Sequence, residues 1–414
     1  MRDKNYRTLW LFIYILINIV STIIILSSDK LMGDVDGKKS HDSGLIIISS
    51  LSIITSYIII LYFIFELYLK IKIKPLYPFL THPNNSKYIS NKIGFLIFVL
   101  QVFFLIYSIY NGHNSSEVNI ENNKNIWRIF WIFIPIDMLV FIYYGYFRGS
   151  KYFRLNIFLW LISNIIRGWS GPLLIIIFME GLNYYKKKNF SIIKSLFIIL
   201  LIILLYPFIF ILKMNFRLTT EDILSIYFFH DFISSLTINN YFTIVYEGFY
   251  NLIGRIQLIS MLSEIIRYSG YIEHAMESDQ FRSFWADGLH GIIYDHLVYG
   301  FKRDNIGTYI TTTDIFSHFK TDRQWNTNIS YPAWFFISPV LSIYYIIFTL
   351  SLLWLSMFLV KKINLTYDAK NILWLSWLIY VMPPWWGTFT TYCYALFLFL
   401  LLLAIIRKLS TIVL

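Results

Sequence analysis

Long apolar runs occupy most of the chain, and one polar stretch, residues 213–332, separates them into two groups. Five runs carry no charged residue: 10–26, 44–64, 93–110, 195–212 and 333–360. A bilayer core about 30 Å thick is crossed by a helix of about 20 apolar residues, so each run predicts a membrane-spanning helix. Three further spans are predicted at 127–147, 371–389 and 392–406.

Residues 155–182 form a shorter apolar stretch, which is interrupted by the sequence RGWSGP at 167–172. The interruption predicts either two short, tilted spans that meet at an outer turn or a re-entrant pair, because broken backbone at this depth must line protein or water. We favour two short spans. This choice gives about ten spans in total and places both termini on one side.

The composition excludes a soluble globule. Of 414 residues, 57% are hydrophobic and 14% are charged, and the mean hydropathy is +0.59; a soluble fold has too little interior to hide that apolar surface. We predict an all-α polytopic membrane protein with about ten transmembrane helices. Its three parts are a bundle of about seven spans at 1–212, broken at 167–172, a large, mainly helical periplasmic loop at 213–332, and about three spans at 333–414.

The basic residues that give the net charge of +11 are concentrated in every second loop. With the N-terminus in the cytoplasm, about twenty of the 35 basic residues lie on the inner side, which is the pattern that sets membrane orientation. The basic character is therefore explained by topology, and nucleic acid is not an expected partner. The single cysteine, Cys393, excludes a disulfide framework and a thiolate metal site.

The large loop is predicted to be folded, because it is rich in aromatic and aliphatic residues. Residues 249–268 have helical periodicity, with Gln257, Ser260 and Glu264 on the polar face. Such an amphipathic helix is predicted to lie on the outer membrane surface.

Arginines in unusual places are the first candidates for binding. Arg167 lies in the broken turn, close to the start of the next helix, and an arginine beside free helix N–H groups makes a compact phosphate site. Arg255 projects from the apolar side of the helix predicted at 249–268, where it needs an anion. For both, contact with lipid head groups alone is the alternative. Arg282 and Arg323 are further candidates for binding a diphosphate.

The second half of the large loop also supplies candidates for catalysis and sugar binding. Histidine titrates near neutral pH and can remove a proton from a sugar hydroxyl. His290 and His318 rank first by neighbourhood, although a structural role is the alternative for each, and Asp304 is a third catalytic candidate. Aromatic platforms beside carboxylates are typical of carbohydrate sites; the candidates are Trp285, Asp322 and Trp325.

Motifs for nucleotide, dinucleotide and zinc-hydrolase chemistry are absent from the sequence. The energy for a reaction is therefore expected to come with the substrate, as it does in an activated lipid-linked donor, and no cofactor is predicted. Asp137, inside a predicted span, is costly in lipid and is expected to face the bundle interior.

In its architecture, and in the stretches IIRGWSGPLL at 165–174, GRIQLIS at 254–260, and KRDNIGTYI to WNTNISYP within 302–332, the chain resembles the bacterial O-antigen and oligosaccharide repeat-unit polymerases of the Wzy type. Polyprenol-phosphate-dependent glycosyltransferases of the C type often carry acidic residues in the first outer loop, which here holds Asp34 and Asp36. A solvated turn is the simpler interpretation of those two residues.

The resemblance implies a metal-independent membrane glycosyltransferase of lipopolysaccharide biosynthesis in the bacterial inner membrane. The growing glycan would leave undecaprenyl diphosphate and move as a block to a new lipid-linked repeat unit. Expected partners are the lipid-linked oligosaccharide donor and acceptor, membrane lipids and a chain-length-regulating membrane protein. Two alternatives stay open: an O-antigen ligase or other C-type transferase, and a lipid-oligosaccharide flippase.

Overall fold

The computed structural model describes residues 2–40, 42–78, 83–110, 126–169, 171–186, 238–313 and 327–412. Within these ranges the chain forms helices and two isolated bridges, with no strand. The span predicted at 195–212 lies outside the described residues.

The first half of the bundle contains eight described helices, the second and third of which are joined through a π-helical stretch at Ile58–Ile64. They are α1 Arg2–Ser28, α2 Ser43–Tyr57, α3 Phe65–Lys70, α4 Pro83–Tyr110, α5 Ile126–Phe133, α6 Ile136–Tyr146, α7 Phe153–Ile166 and α8 Gly171–Lys186.

The remaining described helices comprise six from the large loop and its return to the bundle, followed by three that complete the bundle. They are α9 Ile238–Ile256, α10 Ile259–Arg267, α11 Ser269–Glu277, α12 Leu289–Val298, α13 Ile306–Thr312, α14 Ala333–Ile337, α15 Ser342–Ile363, α16 Tyr367–Ser376 and α17 Trp386–Ile412.

Five described helical segments are long and apolar enough to cross a bilayer: Asp3–Ser28, Ser43–Lys70, Lys87–Tyr110, Pro339–Ile363 and Trp386–Lys408. They confirm the prediction of an all-helical membrane protein. Pro135 separates α5 from α6, as expected for a residue that lacks an N–H and cannot continue a helix. Together α5 and α6 form one kinked apolar segment.

Helices α7 and α8 form a hairpin that is too short for two upright spans. At 1.5 Å per residue, the 14 residues of α7 extend about 21 Å and the 16 residues of α8 about 24 Å, against a core of about 30 Å. Arg167, in the turn between them, contacts Asp137, midway along the kinked α5–α6 segment. Both short, tilted spans and a re-entrant pair agree with these lengths, so the total of about ten spans stays a prediction.

Charged residues join several helix ends on one side of the bundle. Arg7, near the start of α1, donates to Glu66 at 2.9 Å and to Asn371 at 3.1 Å. Lys370 pairs with Asp3 in the same group. The beginning of α1, the end of the second span and the beginning of α16 therefore lie together, as alternation of the spans requires.

A second set of contacts extends this side, which we call the basic side. The ammonium of Lys361, at the end of α15, donates to the carbonyls of Tyr68, Leu69 and Ile71 at the end of α3. Free carbonyls are what a helix end leaves unsatisfied, and a lysine is a suitable partner for them. The lysine-rich helix ends therefore share one side, which agrees with the charge pattern in the sequence.

On the opposite side, residues 29–40, 238–313 and 327–337 pack over the bundle; we call them the loop layer. The prediction of a single amphipathic surface helix at 249–268 is wrong in two respects. It breaks at Gln257 and Leu258 into α9 and α10, and its polar face is buried, with Ser260 1% and Glu264 3% exposed.

The buried polar face of α10 binds the first connecting loop instead of water. Gln257 donates to the carbonyl of Met32 at 3.1 Å, and the N–H of Met32 donates to Ser260 at 3.0 Å. Lys38 of the same loop pairs with Glu264. Each buried polar group thereby gains a partner, which makes its burial tolerable.

Candidate functional site

Three distant segments meet in a group of polar side chains in the loop layer, which we call the outer polar cluster. Its members are Asp34, Tyr250, Arg255, Thr327 and Asn328. One carboxylate oxygen of Asp34 accepts from the Thr327 hydroxyl at 2.5 Å, and the other lies 3.8 Å from the Arg255 guanidinium. The amide of Asn328 donates to the Arg255 carbonyl at 3.1 Å. The cluster thus combines a carboxylate, a guanidinium, a hydroxyl and an amide.

The arginine of this cluster is accessible and loosely paired. The side chain of Arg255 is 36% exposed and that of Asp34 is 18% exposed. A separation of 3.8 Å is beyond hydrogen-bonding range, so the guanidinium keeps donors for another oxygen ligand. We had expected Arg255 to need a phosphate or a head group; its partner in the structure is a carboxylate.

A close approach of two backbones fixes Asp34 beside Arg255. Gly33 has a φ of +78°, and a Cβ built on it would lie 2.6 Å from the carbonyl oxygen of Gly254. A Cβ on Gly254 would lie 2.8 Å from the Gly33 Cα. At position 33 only glycine meets both demands, because it adopts the left-handed conformation without strain and leaves room for the Gly254 backbone.

Tyr250 holds the next acidic residue of the same loop. Its hydroxyl donates to Asp36 at 2.6 Å. Burial and this hydrogen bond raise the pKa of the Tyr250 hydroxyl above its ordinary value, so the hydroxyl remains a donor at neutral pH. The first connecting loop is thus anchored on both sides of Asp34.

The segment that supplies Thr327 and Asn328 is strained and incompletely satisfied. Ser330 has a φ of +71°, a left-handed conformation that costs a non-glycine residue free energy. Among the described residues, its buried hydroxyl and the side-chain oxygen of Asn328 have no hydrogen-bond partner. Strain and unsatisfied polar atoms of this kind occur together at functional sites.

A second arginine group in the loop layer is buried around one carboxylate. Asp295, which is 0% exposed, accepts from the Nε of Arg303 at 2.9 Å and from its backbone N–H at 3.0 Å. Arg303 also donates to Asp279 at 2.7 Å. Arg282, 4% exposed, lies 3.5 Å from Asp295 and 3.9 Å from Asp287. The predicted diphosphate ligand Arg282 is therefore inaccessible and lies between carboxylates.

His290 lies at the edge of the loop layer, where it is exposed. Its Nε2 lies 2.6 Å from the carbonyl of Trp285, to which the N–H at this position donates. Asp287 accepts from the N–H of Gly387 at 2.8 Å. Trp285 is partly exposed beside them, as a sugar platform would be. Asp304 contributes its carbonyl, which accepts from the N–H of Arg282.

Arg167 forms a third group, inside the bundle. It donates to Asp137 at 2.8 Å and to the carbonyl of Ser163 at 3.1 Å, and its guanidinium lies over the Phe104 ring. Asn164 also donates to Asp137. Asp137 therefore faces the bundle interior, as predicted. The carboxylate reduces the positive charge that Arg167 can offer to a phosphate.

Residues 380–394, which include the beginning of α17, border all three groups. The N–H of Tyr331, next to the outer polar cluster, donates to the Met382 carbonyl at 2.7 Å, and Gly387 bonds Asp287 as described. Tyr394 donates to the carbonyl of Phe133 at 3.0 Å, beside the Pro135 break that precedes Asp137. Each of the three groups thus has a contact with this one segment.

Four predicted site residues lie outside the described residues: His318, Asp322, Arg323 and Trp325. In the parts of the chain that the structure describes, no group of three or more His, Cys, Asp and Glu is arranged to hold a metal ion.

Sequence reasoning gave Asp34 little weight and missed Thr327 and Asn328. Asp34 was interpreted as part of a solvated turn. The only signal for the other two was the Trp-Asn-Thr-Asn-Ile-Ser-Tyr-Pro stretch that precedes the last group of spans. Comparisons with protein families, with curated proteins and with solved structures gave no match to this chain.

Proposed function

We propose that the protein is a membrane glycosyltransferase that polymerises polyprenyl-diphosphate-linked oligosaccharide repeat units at the outer face of a bacterial inner membrane. The observation that carries this proposal is the outer polar cluster, where an accessible, incompletely paired arginine lies beside a carboxylate in a layer built over a membrane bundle. The basic side of the bundle then faces the cytoplasm.

The chemistry needs two functions that the cluster supplies. In the transfer, an acceptor sugar hydroxyl attacks the anomeric carbon of the donor glycan, the bond from that carbon to the diphosphate oxygen breaks, and the hydroxyl proton goes to a base. Arg255 binds the departing diphosphate, where its charge stabilises the developing anion. Asp34 takes the proton. We assign the base to Asp34 over His290, because Asp34 is the residue that lies next to Arg255.

The direct test is to incubate the purified protein with a defined lipid-linked repeat unit. A ladder of products, spaced by one repeat unit and still attached to the lipid, is the expected result. Transfer of a single block to a different acceptor, with no ladder, would favour a ligase. Absence of any transfer in protein that is folded would overturn the proposal.

Variants assign the roles within that assay. Asp34→Asn should remove the base and lower the rate at least a hundredfold, the usual size of a general-base contribution. Asp29→Asn is the matched control, because Asp29 lies in the same loop and is paired only loosely, at 3.9 Å, with Lys39. His290→Ala should leave the chemical step intact. A loss confined to His290→Ala would return the base to that residue.

A further inference from the structure

A groove on the basic side of the bundle lies between the end of the second span and the end of α15. Its volume is about 670 Å³. Its lining comes from residues 69–75, which we call the lysine wall, and from Lys361, Asn364 and Leu365. Four of these ten residues are lysines, and the described residues that line the groove include no aspartate or glutamate. The groove is therefore a local concentration of positive charge.

The lysine wall is fixed to the end of α15 by hydrogen bonds. The N–H of Leu76, directly after the wall, donates to the carbonyl of Lys362 at 2.7 Å. The N–H of Tyr77 donates to the carbonyl of Ile363 at 3.3 Å. At the beginning of the wall, the ammonium of Lys361 binds the carbonyls already described. The groove is thus formed before a ligand arrives, and less ordering opposes binding.

Three lysines of the wall keep their ammonium groups free. Lys70, Lys72 and Lys74 are exposed, and none of them has an ion-pair or hydrogen-bond partner in the part of the chain that the structure describes. Ile71, between the first two, is extended, with φ −65° and ψ 121°. In an extended chain alternate side chains point the same way. Lys72 and Lys74 therefore share one side, with roughly 7 Å between their backbone positions.

The charge bias that orients a membrane protein explains why lysines occur on this side, but it does not explain their arrangement. Three other basic residues on the same side have carboxylate partners: Arg7 with Glu66, Lys370 with Asp3, and Arg148 with Glu180. The exposed lysines of the wall have no such partner. An ammonium group is a compact charge that binds phosphate, so the groove is suited to a phosphate-bearing anion.

The position of the groove and its apolar residues favour a lipid over a soluble anion. The second span ends at Lys70 and the span of α15 ends at Ile363, so the groove lies where the bilayer core gives way to the head groups. Ile71 is 41% exposed and Leu76 is 48% exposed beside the lysines. Basic pockets between spans at the cytoplasmic surface are typical sites for phospholipid head groups.

We infer that this groove binds the head group of an anionic phospholipid from the leaflet on the basic side. A head group with two phosphates, as in cardiolipin, matches the two free charges of Lys72 and Lys74 and is the expected ligand. Its acyl chains lie along the exposed apolar residues, and the lipid joins the ends of two spans. The inference does not depend on the proposed function.

The test measures binding of cardiolipin with one fluorescent acyl chain to the intact protein in detergent. Lys72→Gln combined with Lys74→Gln should weaken binding roughly thirtyfold, and Lys74→Gln alone roughly fivefold. Lys72→Arg combined with Lys74→Arg keeps both charges and should retain binding. Unchanged affinity in the glutamine variants would overturn the inference. The single substitution serves as the test should the double variant misfold.

The matched control is Lys92→Gln combined with Lys151→Gln. These lysines are exposed and lie outside the groove. They belong to the same side, because Tyr146, just before the connection that holds Lys151, donates to the Val360 carbonyl at 3.2 Å. The control loses the same charge and should bind cardiolipin as tightly as the original protein. An equal loss in the control would show diffuse attraction to a basic surface and overturn the site.

Two competitors identify the ligand. Phosphatidylcholine has no net charge and pyrophosphate has no acyl chain, so neither should displace the labelled cardiolipin at equal concentration. Displacement by phosphatidylcholine would show an ordinary acyl-chain contact, and displacement by pyrophosphate would show a site for soluble phosphates; either result overturns the inference. Unlabelled cardiolipin should also raise the unfolding temperature of the original protein, and it should not raise that of the double glutamine variant.

Discussion

Two arginine–aspartate pairs in the loop layer consist of the same chemical groups, but one pair is closely hydrogen-bonded and buried and the other is loose and partly exposed. Arg303 and Asp295 make two bonds of 2.9 and 3.0 Å, and the carboxylate is fully buried. Arg255 and Asp34 lie 3.8 Å apart and are both partly exposed. A buried charge must have its partners within the protein, whereas a charge that binds substrate must keep some donors free. The first pair has its partners within the protein, and the second keeps donors free, as the proposed binding of a diphosphate requires.

The largest difference between the two pairs is expected in the stability of the Asp295→Asn variant. The variant leaves Arg303 and Arg282 buried without their shared carboxylate, which should destabilise the protein by about 3–5 kcal/mol. The unfolding temperature in detergent should fall markedly. Asp279→Asn removes the other partner of Arg303, but that carboxylate is 63% exposed, so its loss should cost under about 1 kcal/mol. Similar unfolding temperatures in the two variants would contradict the prediction.

Gly254→Ala tests whether the outer polar cluster is held together by the backbone contact with Gly33. The added methyl group has to displace the loop or the helix, which should destabilise the protein by about 1–3 kcal/mol. Gly270→Ala is the control, because a Cβ there meets nothing within 4 Å. An unchanged unfolding temperature for Gly254→Ala would show that the loop can move away freely.

Arg255→Ala tests whether the loose pair contributes to activity and not to stability. The exposed, loose pair should contribute less than about 1 kcal/mol to stability, so the variant should keep its unfolding temperature. Its polymerisation rate should fall at least tenfold, equivalent to about 1.4 kcal/mol in the barrier. Arg267→Ala, at an exposed arginine on the neighbouring helix, is the matched control. Full activity of Arg255→Ala would remove this residue from the site.

Tyr250→Phe is expected to have the smallest effect. It removes one hydrogen bond to Asp36, worth about 0.5–1.5 kcal/mol or a little more because the acceptor is charged. The Asp34 side of the loop keeps its own contacts, so activity should drop by a small factor at most. A large loss of activity at unchanged stability would mean that Asp36 takes part in the site.

The sequence was sufficient for features that depend on neighbouring residues. Apolar runs predicted the five long membrane helices, and the distribution of lysine and arginine predicted which helix ends lie together. Pro135 and the RGWSGP turn marked the breaks correctly, because proline and glycine act on their own backbone.

Features that depend on distant residues were not predictable in this way. The polar face of α10 had the pattern of a surface helix, but it is buried because the first connecting loop supplies its partners. Asp34 and Thr327 are separated by 293 positions in the chain. Nothing in local periodicity signals such a pairing, so an acidic turn was the natural interpretation of Asp34.

Lys361 has a consequence for the order in which the chain is assembled. When its helix first enters the membrane, the ammonium must stand in water, and there it contributes to the charge bias that orients the span. In the folded protein Lys361 is 4% exposed, and the carbonyls of Tyr68, Leu69 and Ile71 have replaced that water. One lysine therefore acts first as an orientation signal and later as a clamp between two spans, and the second role begins only after the first is complete.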